Sequence, residues 1–68
     1  MKVRLNGADT EVRDGATVRH LVADLTLPAG DRGVAVAVDR EVVPRGAWET
    51  HLVPAGAHVE IVNAIQGG

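Results

Sequence analysis

The chain contains no cysteine, and this absence excludes several kinds of site at once. Without cysteine there is no disulfide to stabilise a small fold, no thiol nucleophile, and no thiolate ligand for zinc or an iron–sulfur cluster. A single domain of 68 residues then depends on a hydrophobic core that supplies only about 3–5 kcal/mol. The composition is compatible with a reducing compartment.

Aromatic residues are almost absent as well, since there is no phenylalanine or tyrosine and Trp48 is the one tryptophan. The chain therefore offers no aromatic platform on which single-stranded nucleic acid could stack. Seven basic and nine acidic residues give a net charge of −2, too weak and too mixed for an electrostatic nucleic-acid binder. No apolar run approaches the ~20 residues of a membrane span, and the alternating start is not a signal peptide. We expect a cytoplasmic protein without nucleic-acid or membrane partners.

What the sequence does contain first is a hairpin pattern. Residues 2–6 alternate polar and apolar side chains, the period of a half-buried strand. Asn6-Gly7 follows, a strong hairpin signal because both residues tolerate positive φ. Residues 8–14 return as a second, less apolar strand that ends at the turn Asp14-Gly15.

The period then changes to that of a helix. Four apolar residues recur at helical spacing and form one stripe: Val18, Leu21, Val22 and Leu25. Thr17 is a candidate N-cap, although His20, three residues later, is not the Glu or Gln of a capping box. Pro28 lacks a backbone N–H, so we expect the helix to end near Leu25.

The second half of the chain alternates between apolar strands and turn residues. We predict a loop at 28–33, a central strand at 34–38, a turn at Asp39-Arg40, a short strand at 41–43, an irregular segment at 48–57 and a last strand at 58–63. The order strand, strand, helix, strand, strand, loop, strand is that of an α+β β-grasp, with a mixed sheet of about five strands and one main helix packed on it. The first and last strands can then pair in parallel, because the helix provides the long connection.

The predicted domain covers residues 1–63, and residues 64–68 form a predicted flexible tail. The expected core combines the helix stripe with the inward strand residues: Val3, Leu5, Val12, Val18, Leu21, Val22, Leu25, Val34, Val36, Val38, Val59 and Ile61.

The tail, Ala64 to Gly68, is the main candidate site. Five residues reach about 17 Å when extended at ~3.3 Å each, and Gly67-Gly68 has no Cβ that would exclude it from a narrow slot. Such a tail delivers the α-carboxylate of Gly68, which becomes reactive once its oxygen is made a leaving group. Attack on the α-phosphate of ATP would give an acyl-adenylate, and a sulfur nucleophile would convert it to a thiocarboxylate. The ATP, metal and base would come from a partner enzyme.

A glycine pair that directly follows the last strand of a β-grasp is the ubiquitin arrangement, and residues 34–68 carry a more specific likeness. The strand "VAVAV", the segment "VVPRGAW", the "VEIV" of the last strand and the ending "AIQGG" resemble the sulfur-carrier proteins of thiamine biosynthesis, the ThiS family. The opening "VRLNG" resembles the family's start, so the likeness covers the full length. The family usually has an Asn-Gly-like pair where this chain has Asp39-Arg40.

The resemblance implies a carrier rather than an enzyme. The Gly68 carboxylate would be adenylylated by an E1-like adenylyltransferase, ThiF, converted to a thiocarboxylate, and used to donate sulfur to a thiazole synthase, ThiG. ATP and sulfur would come from the partner enzyme, with no permanently bound cofactor.

Three alternatives stay open on the residues alone. The small subunit of molybdopterin synthase shares the fold and the Gly-Gly end, although that family is usually longer and more aromatic. A ubiquitin-like modifier would join Gly68 to protein lysines. A passive interaction module would function without Gly67-Gly68.

Other polar and aromatic residues carry weaker signals. Three histidines are scattered without metal-ligand spacing, so we expect partly exposed side chains and no metal: His20, His51 and His58. Trp48 is expected to pack in the core, with a partner contact as the alternative, and Arg45 to be a solvated charge. Ile65 and Gln66, beside the terminal glycines, are expected to contact partner enzymes.

Overall fold

The computed structural model describes residues 1–24 and 33–63. The elements are β1 (Lys2–Leu5), β2 (Ala8–Glu11), α1 (Val18–Asp24), β3 (Val34–Val38), β4 (Glu41–Val43), a 3₁₀ turn (Arg45–Ala47) and β5 (His58–Asn63). Within these residues, one mixed five-stranded sheet with one helix confirms the predicted β-grasp. Leu25 and the predicted loop residues up to Arg32 lie outside the described residues, as does the tail at 64–68.

The sheet has the strand order β2-β1-β5-β3-β4. β1 and β5 pair in parallel, as predicted, and the other neighbours pair antiparallel. β3 pairs on both sides, with β5 and with β4, as predicted for a central strand. β5 occupies the middle of the sheet and β3 lies beside it, because β5 inserts between the two hairpins.

Both hairpins turn through residues of positive φ. In the first turn, φ is 51° at Asn6 and 84° at Gly7, as the Asn-Gly pair predicts. The predicted strands at 2–6 and 8–14 were too long. β1 ends at Leu5 because the turn begins at Asn6, and β2 ends at Glu11 because this residue pairs with Lys2, where β1 begins.

The helix begins with a reciprocal cap between Thr17 and His20, of which only the Thr17 half was predicted from the sequence. The Thr17 Oγ1 accepts the backbone N–H of His20 at 3.4 Å, which confirms the predicted N-cap. The backbone N–H of Thr17 in turn donates to the His20 Nδ1 at 3.0 Å. His20 therefore does what Glu or Gln does in a capping box, because its ring nitrogen is also an acceptor within reach.

The core lies between the helix and one face of the sheet. Of the predicted core residues, eight are buried (Val3, Val18, Leu21, Val22, Val36, Val38, Val59, Ile61) and three are partly buried against them (Leu5, Val12, Val34). Trp48 is buried, which confirms its packing role. The prediction missed four further core residues: Ala16, Val43, Val53 and Ala57.

Candidate functional site

The candidate site residues Ala64, Ile65, Gln66, Gly67 and Gly68 lie outside the described residues. The structure does describe β5, the strand that leads directly into them. The described part of the site therefore consists of β5, the groups that fix β5 in the sheet, and the surface around the end of β5.

β5 is held on both sides along its first part. Its pairing with β3 runs from Val59, opposite Val38, to Asn63, opposite Val34. Its pairing with β1 is short and includes only Arg4 with His58 and Leu5 with Val59. The backbone N–H of Asn6 adds one more bond, to the Val59 carbonyl at 2.8 Å.

Beyond Val59, the side chain of Asn6 continues the contact that the β1 backbone has left. Its Oδ1 accepts the Ile61 N–H at 2.9 Å, and its Nδ2 donates to the Ile61 carbonyl at 3.2 Å. Both main-chain polar groups of Ile61 on this side are thereby paired by one carboxamide. The sequence predicts only a turn at Asn6, because the contact with Ile61 joins positions that are 55 apart and leaves no local pattern.

The face of the sheet that the helix does not cover carries an apolar strip on β4, β3 and β5. Val42 is 71% exposed and Val62 is 57% exposed. Ala35 lies opposite Val62 and Ala37 lies opposite Val42 in the sheet register, so these four side chains share one face. We call Val42, Ala37, Ala35 and Val62 the apolar strip. The strip was not predicted from the sequence, although a valine at an outward position of an alternating strand is a usable signal.

The other half of the same face is charged. Arg4 on β1 lies 3.4 Å from Asp9 on β2, an exposed ion pair. At the start of β5, Asp39, Arg40, His58 and Glu60 surround an open polar depression of about 360 Å³. The apolar strip thus meets a polar surface along β5, with Val62 as its member nearest the tail.

Two of the residues considered as other candidates, Trp48 and His20, have structural roles through their side chains. Trp48 donates its Nε1–H to the Val43 carbonyl at 2.9 Å, and the Arg19 guanidinium carbon lies 5.1 Å from the centre of its ring. Arg45 is exposed on the 3₁₀ turn. His20 caps the helix, and the backbone N–H of His58 donates to the Asp39 Oδ1 at 2.9 Å.

Within residues 1–24 and 33–63, no group of three or more histidine, aspartate or glutamate side chains is arranged to hold a metal ion. The same part of the chain contains no helix with the length and apolar character of a membrane span. The three histidines lie on the helix, in the loop after Trp48 and at the start of β5, as the sequence predicted.

Comparison with known proteins gives consistent matches. The model of the ThiS family matches residues 3–68, which include the Gly-Gly end. The sulfur carrier protein ThiS of Escherichia coli (strain K12) is 29% identical over 68 residues, with 100% of each chain covered. The crystal structure of a thiamine biosynthesis protein (ThiS) from Geobacter metallireducens is 27% identical, has a TM-score of 0.82 and covers 100% of both chains.

Proposed function

The chain belongs to the ThiS family, and we propose that it is a sulfur carrier for the thiazole ring of thiamine. One observation carries the proposal: the family match extends through Gly68, the residue whose carboxylate would carry the sulfur. The E. coli relative named as a sulfur carrier also aligns over its whole length.

The proposed chemistry takes place at the carboxylate of Gly68. One carboxylate oxygen attacks the α-phosphate of ATP and expels pyrophosphate, which leaves an acyl-adenylate. Sulfide, or a donor equivalent to it, then attacks the acyl carbon and expels AMP, so that a thiocarboxylate remains. An E1-like adenylyltransferase of the ThiF type supplies ATP and the catalytic groups, and a thiazole synthase of the ThiG type accepts the sulfur.

The fold suits a carrier because it presents the tail from its best-supported strand. β5 lies in the middle of the sheet, and the two residues before the tail, Val62 and Asn63, still pair with β3. A partner enzyme can therefore bind a rigid domain and receive the Gly68 carboxylate as far as about 17 Å beyond the end of β5.

The apolar strip supports a protein as the partner that takes the tail. An enzyme that binds the whole tail, from Ala64 to Gly68, comes next to Val62, which is where the strip begins. Apolar surface rimmed by charged residues is typical of protein interfaces. We propose that the activating enzyme docks on the apolar strip while it receives the tail.

Intact-mass spectrometry tests the carrier chemistry directly. The protein is incubated with ATP, magnesium, sodium sulfide and the ThiF-like enzyme of its own organism. The expected product has one oxygen replaced by one sulfur, and peptide mapping places the change in the C-terminal peptide. A variant with one alanine appended after Gly68 is the matched control, because it keeps the fold but moves the carboxylate beyond the reactive position.

The outcomes separate the competing functions. Sulfur transfer from the thiocarboxylate to a ThiG-like synthase, and not to the large subunit of molybdopterin synthase, would support the thiazole pathway. Isopeptide conjugates to lysines in cell extract would instead indicate a protein modifier. Adenylylation of the alanine-extended variant, or no mass change with an activating enzyme that is active on another carrier, would contradict the proposal.

A further inference from the structure

We propose that Asn6 is a positioning residue for the C-terminal tail: its carboxamide fixes the end of β5 and so sets the point from which the tail enters a partner enzyme. The proposal rests on the proposed function, since it concerns how that function's tail is presented. It follows from the two hydrogen bonds that Asn6 makes with Ile61.

The Asn6 side chain replaces a peptide group of the sheet. Along the parallel pair, the N–H of Arg4 donates to the Ala57 carbonyl and the N–H of Asn6 donates to the Val59 carbonyl, each at 2.8 Å. The next carbonyl in this series is that of Ile61. β1 has turned away at Gly7, where φ is 84°, so no strand backbone is in place to meet it. The Asn6 carboxamide supplies both a donor and an acceptor there, as a peptide group would.

The choice of residue at this position is narrow. The backbone of Asn6 has a φ of 51°, which favours Gly, Asn or Asp over other residues. Of these three, glycine has no side chain and aspartate has no N–H to donate. Asparagine alone satisfies the turn and both polar groups of Ile61.

The effect on the tail follows from the length of chain that a partner must order. With the Asn6 contact, β5 is held on both sides as far as Ile61. Without it, the residues after Val59 are held by β3 alone. A strand end with fewer hydrogen bonds opens more often, and each extra residue that must be ordered on binding weakens binding.

A matched pair of variants separates tail positioning from general stability. Asn6→Gly keeps a residue that accepts positive φ and removes both side-chain hydrogen bonds to β5, while the backbone bond to Val59 remains. Asp39→Gly is the matched change at the opposite end of this strand: Asp39 has a φ of 50°, and the substitution removes its one side-chain hydrogen bond to β5, accepted from the His58 N–H at 2.9 Å. Asn6→Asp keeps the acceptor for the Ile61 N–H but places a carboxylate oxygen against the Ile61 carbonyl.

Two measurements are made on each variant: amide hydrogen exchange at Ile61, Val62 and Asn63, and steady-state pyrophosphate release with the ThiF-like enzyme. For Asn6→Gly we expect faster exchange at these amides and a KM about tenfold higher, with kcat unchanged because Gly68 reacts as before once it is bound. Asn6→Asp should behave similarly. Asp39→Gly should keep the KM of the unmodified protein, even if its free energy of unfolding falls by as much as that of Asn6→Gly.

The outcomes distinguish failure of the proposed role of Asn6 from failure of the carrier function itself. If the unmodified protein releases no pyrophosphate, the proposed function fails and the role of Asn6 fails with it. If the unmodified protein is active and Asn6→Gly has the same KM as Asp39→Gly, Asn6 is only a turn residue. Unchanged exchange at Ile61 in Asn6→Gly would also overturn the proposal.

Discussion

The indole N–H of Trp48 donates a 2.9 Å hydrogen bond to the carbonyl of Val43, the last residue of β4. This bond joins the segment after the 3₁₀ turn to the edge of the sheet. Both side chains are buried, and the Arg19 guanidinium lies over the indole ring. One aromatic residue thus connects β4, the helix and the irregular segment that leads to β5.

We therefore predict that Trp48→Phe destabilises the protein although it keeps an aromatic ring in the core. The substitution leaves the buried Val43 carbonyl without its donor, which is expected to lower the free energy of unfolding by about 1–3 kcal/mol. Urea denaturation followed by far-UV circular dichroism measures this, since tryptophan fluorescence is lost in the variant. A change below about 0.5 kcal/mol would show that water replaces the indole donor.

A substitution in the turn between β3 and β4 is predicted to raise the free energy of unfolding. Arg40 has a φ of 72°, a conformation that is unfavourable for a residue with a Cβ by roughly 1–2 kcal/mol. Arg40→Gly should therefore raise the free energy of unfolding by up to about 1 kcal/mol, because part of the gain is lost to the greater flexibility of glycine when unfolded. Arg40→Ala is the control and should bring no such gain. Equal stability of the two variants would place the effect in the arginine side chain and not in the backbone.

The turn at Asp39-Arg40 also shows which features of the fold could be predicted from the sequence. Alternation and turn residues located all five strands and the helix, because hairpins and amphipathic stripes are local patterns. They did not show whether Asp39-Arg40 forms a longer loop or a strained tight turn. The structure shows a two-residue turn with both residues at positive φ, closed by the pairing of Val38 with Glu41.

The features that the sequence did not show depend on contacts between distant positions. Val53 and Ala57 are buried although the segment that contains them has no regular period. The bonds between Asn6 and Ile61 cross most of the chain, and they form only because β5 inserts beside β1. The tail was identified from its composition and from family resemblance, and its predicted role in partner enzymes stays a prediction.

Because of the α-ammonium group of Met1, we expect the folded protein to lose stability at alkaline pH. Hydrogen bonds to Asp14 and Glu11 raise its pKa above the ordinary value of 8.0, with nitrogen–oxygen distances of 3.0 Å and 3.1 Å respectively. A group whose pKa is raised by folding stabilises the folded state below the unfolded pKa, and this contribution disappears as the pH rises through the folded value.

Urea denaturation of the chain with a free Met1 amine should therefore show falling stability as the pH rises above about 8. The chain has no cysteine, so no thiol titrates just above pH 8. Asp14→Asn removes the strongest partner and should flatten the dependence. An equally steep decline in that variant would assign the effect to another group.

The apolar strip predicts which surface substitutions weaken activation. Val42→Glu places a charge on a side chain that is 71% exposed, so the fold should tolerate it. Docking of the ThiF-like enzyme would bury that charge, and the KM for activation should rise about tenfold. Leu52→Glu is the matched control, because Leu52 is 63% exposed but lies outside the five strands. Equal effects of the two substitutions on KM would argue against docking on the strip.

A side chain added at Gly67 tests whether the activating enzyme encloses the tail. Gly67→Val adds a branched side chain one residue before the reactive carboxylate and leaves that carboxylate chemically unchanged. If the activating enzyme encloses the tail in a slot that fits only backbone, kcat/KM for pyrophosphate release should fall about 100-fold, with Gly67→Ala intermediate.

Gly46→Val is the control for this substitution, because a Cβ at Gly46 meets no atom within 4 Å and its φ is not positive. It adds the same side chain elsewhere on the surface and should leave activation unchanged. Both valine variants should unfold at similar urea concentrations, so a difference in activation cannot come from stability. Full activity of Gly67→Val would mean that the enzyme recognises the Gly68 carboxylate without enclosing the residue before it.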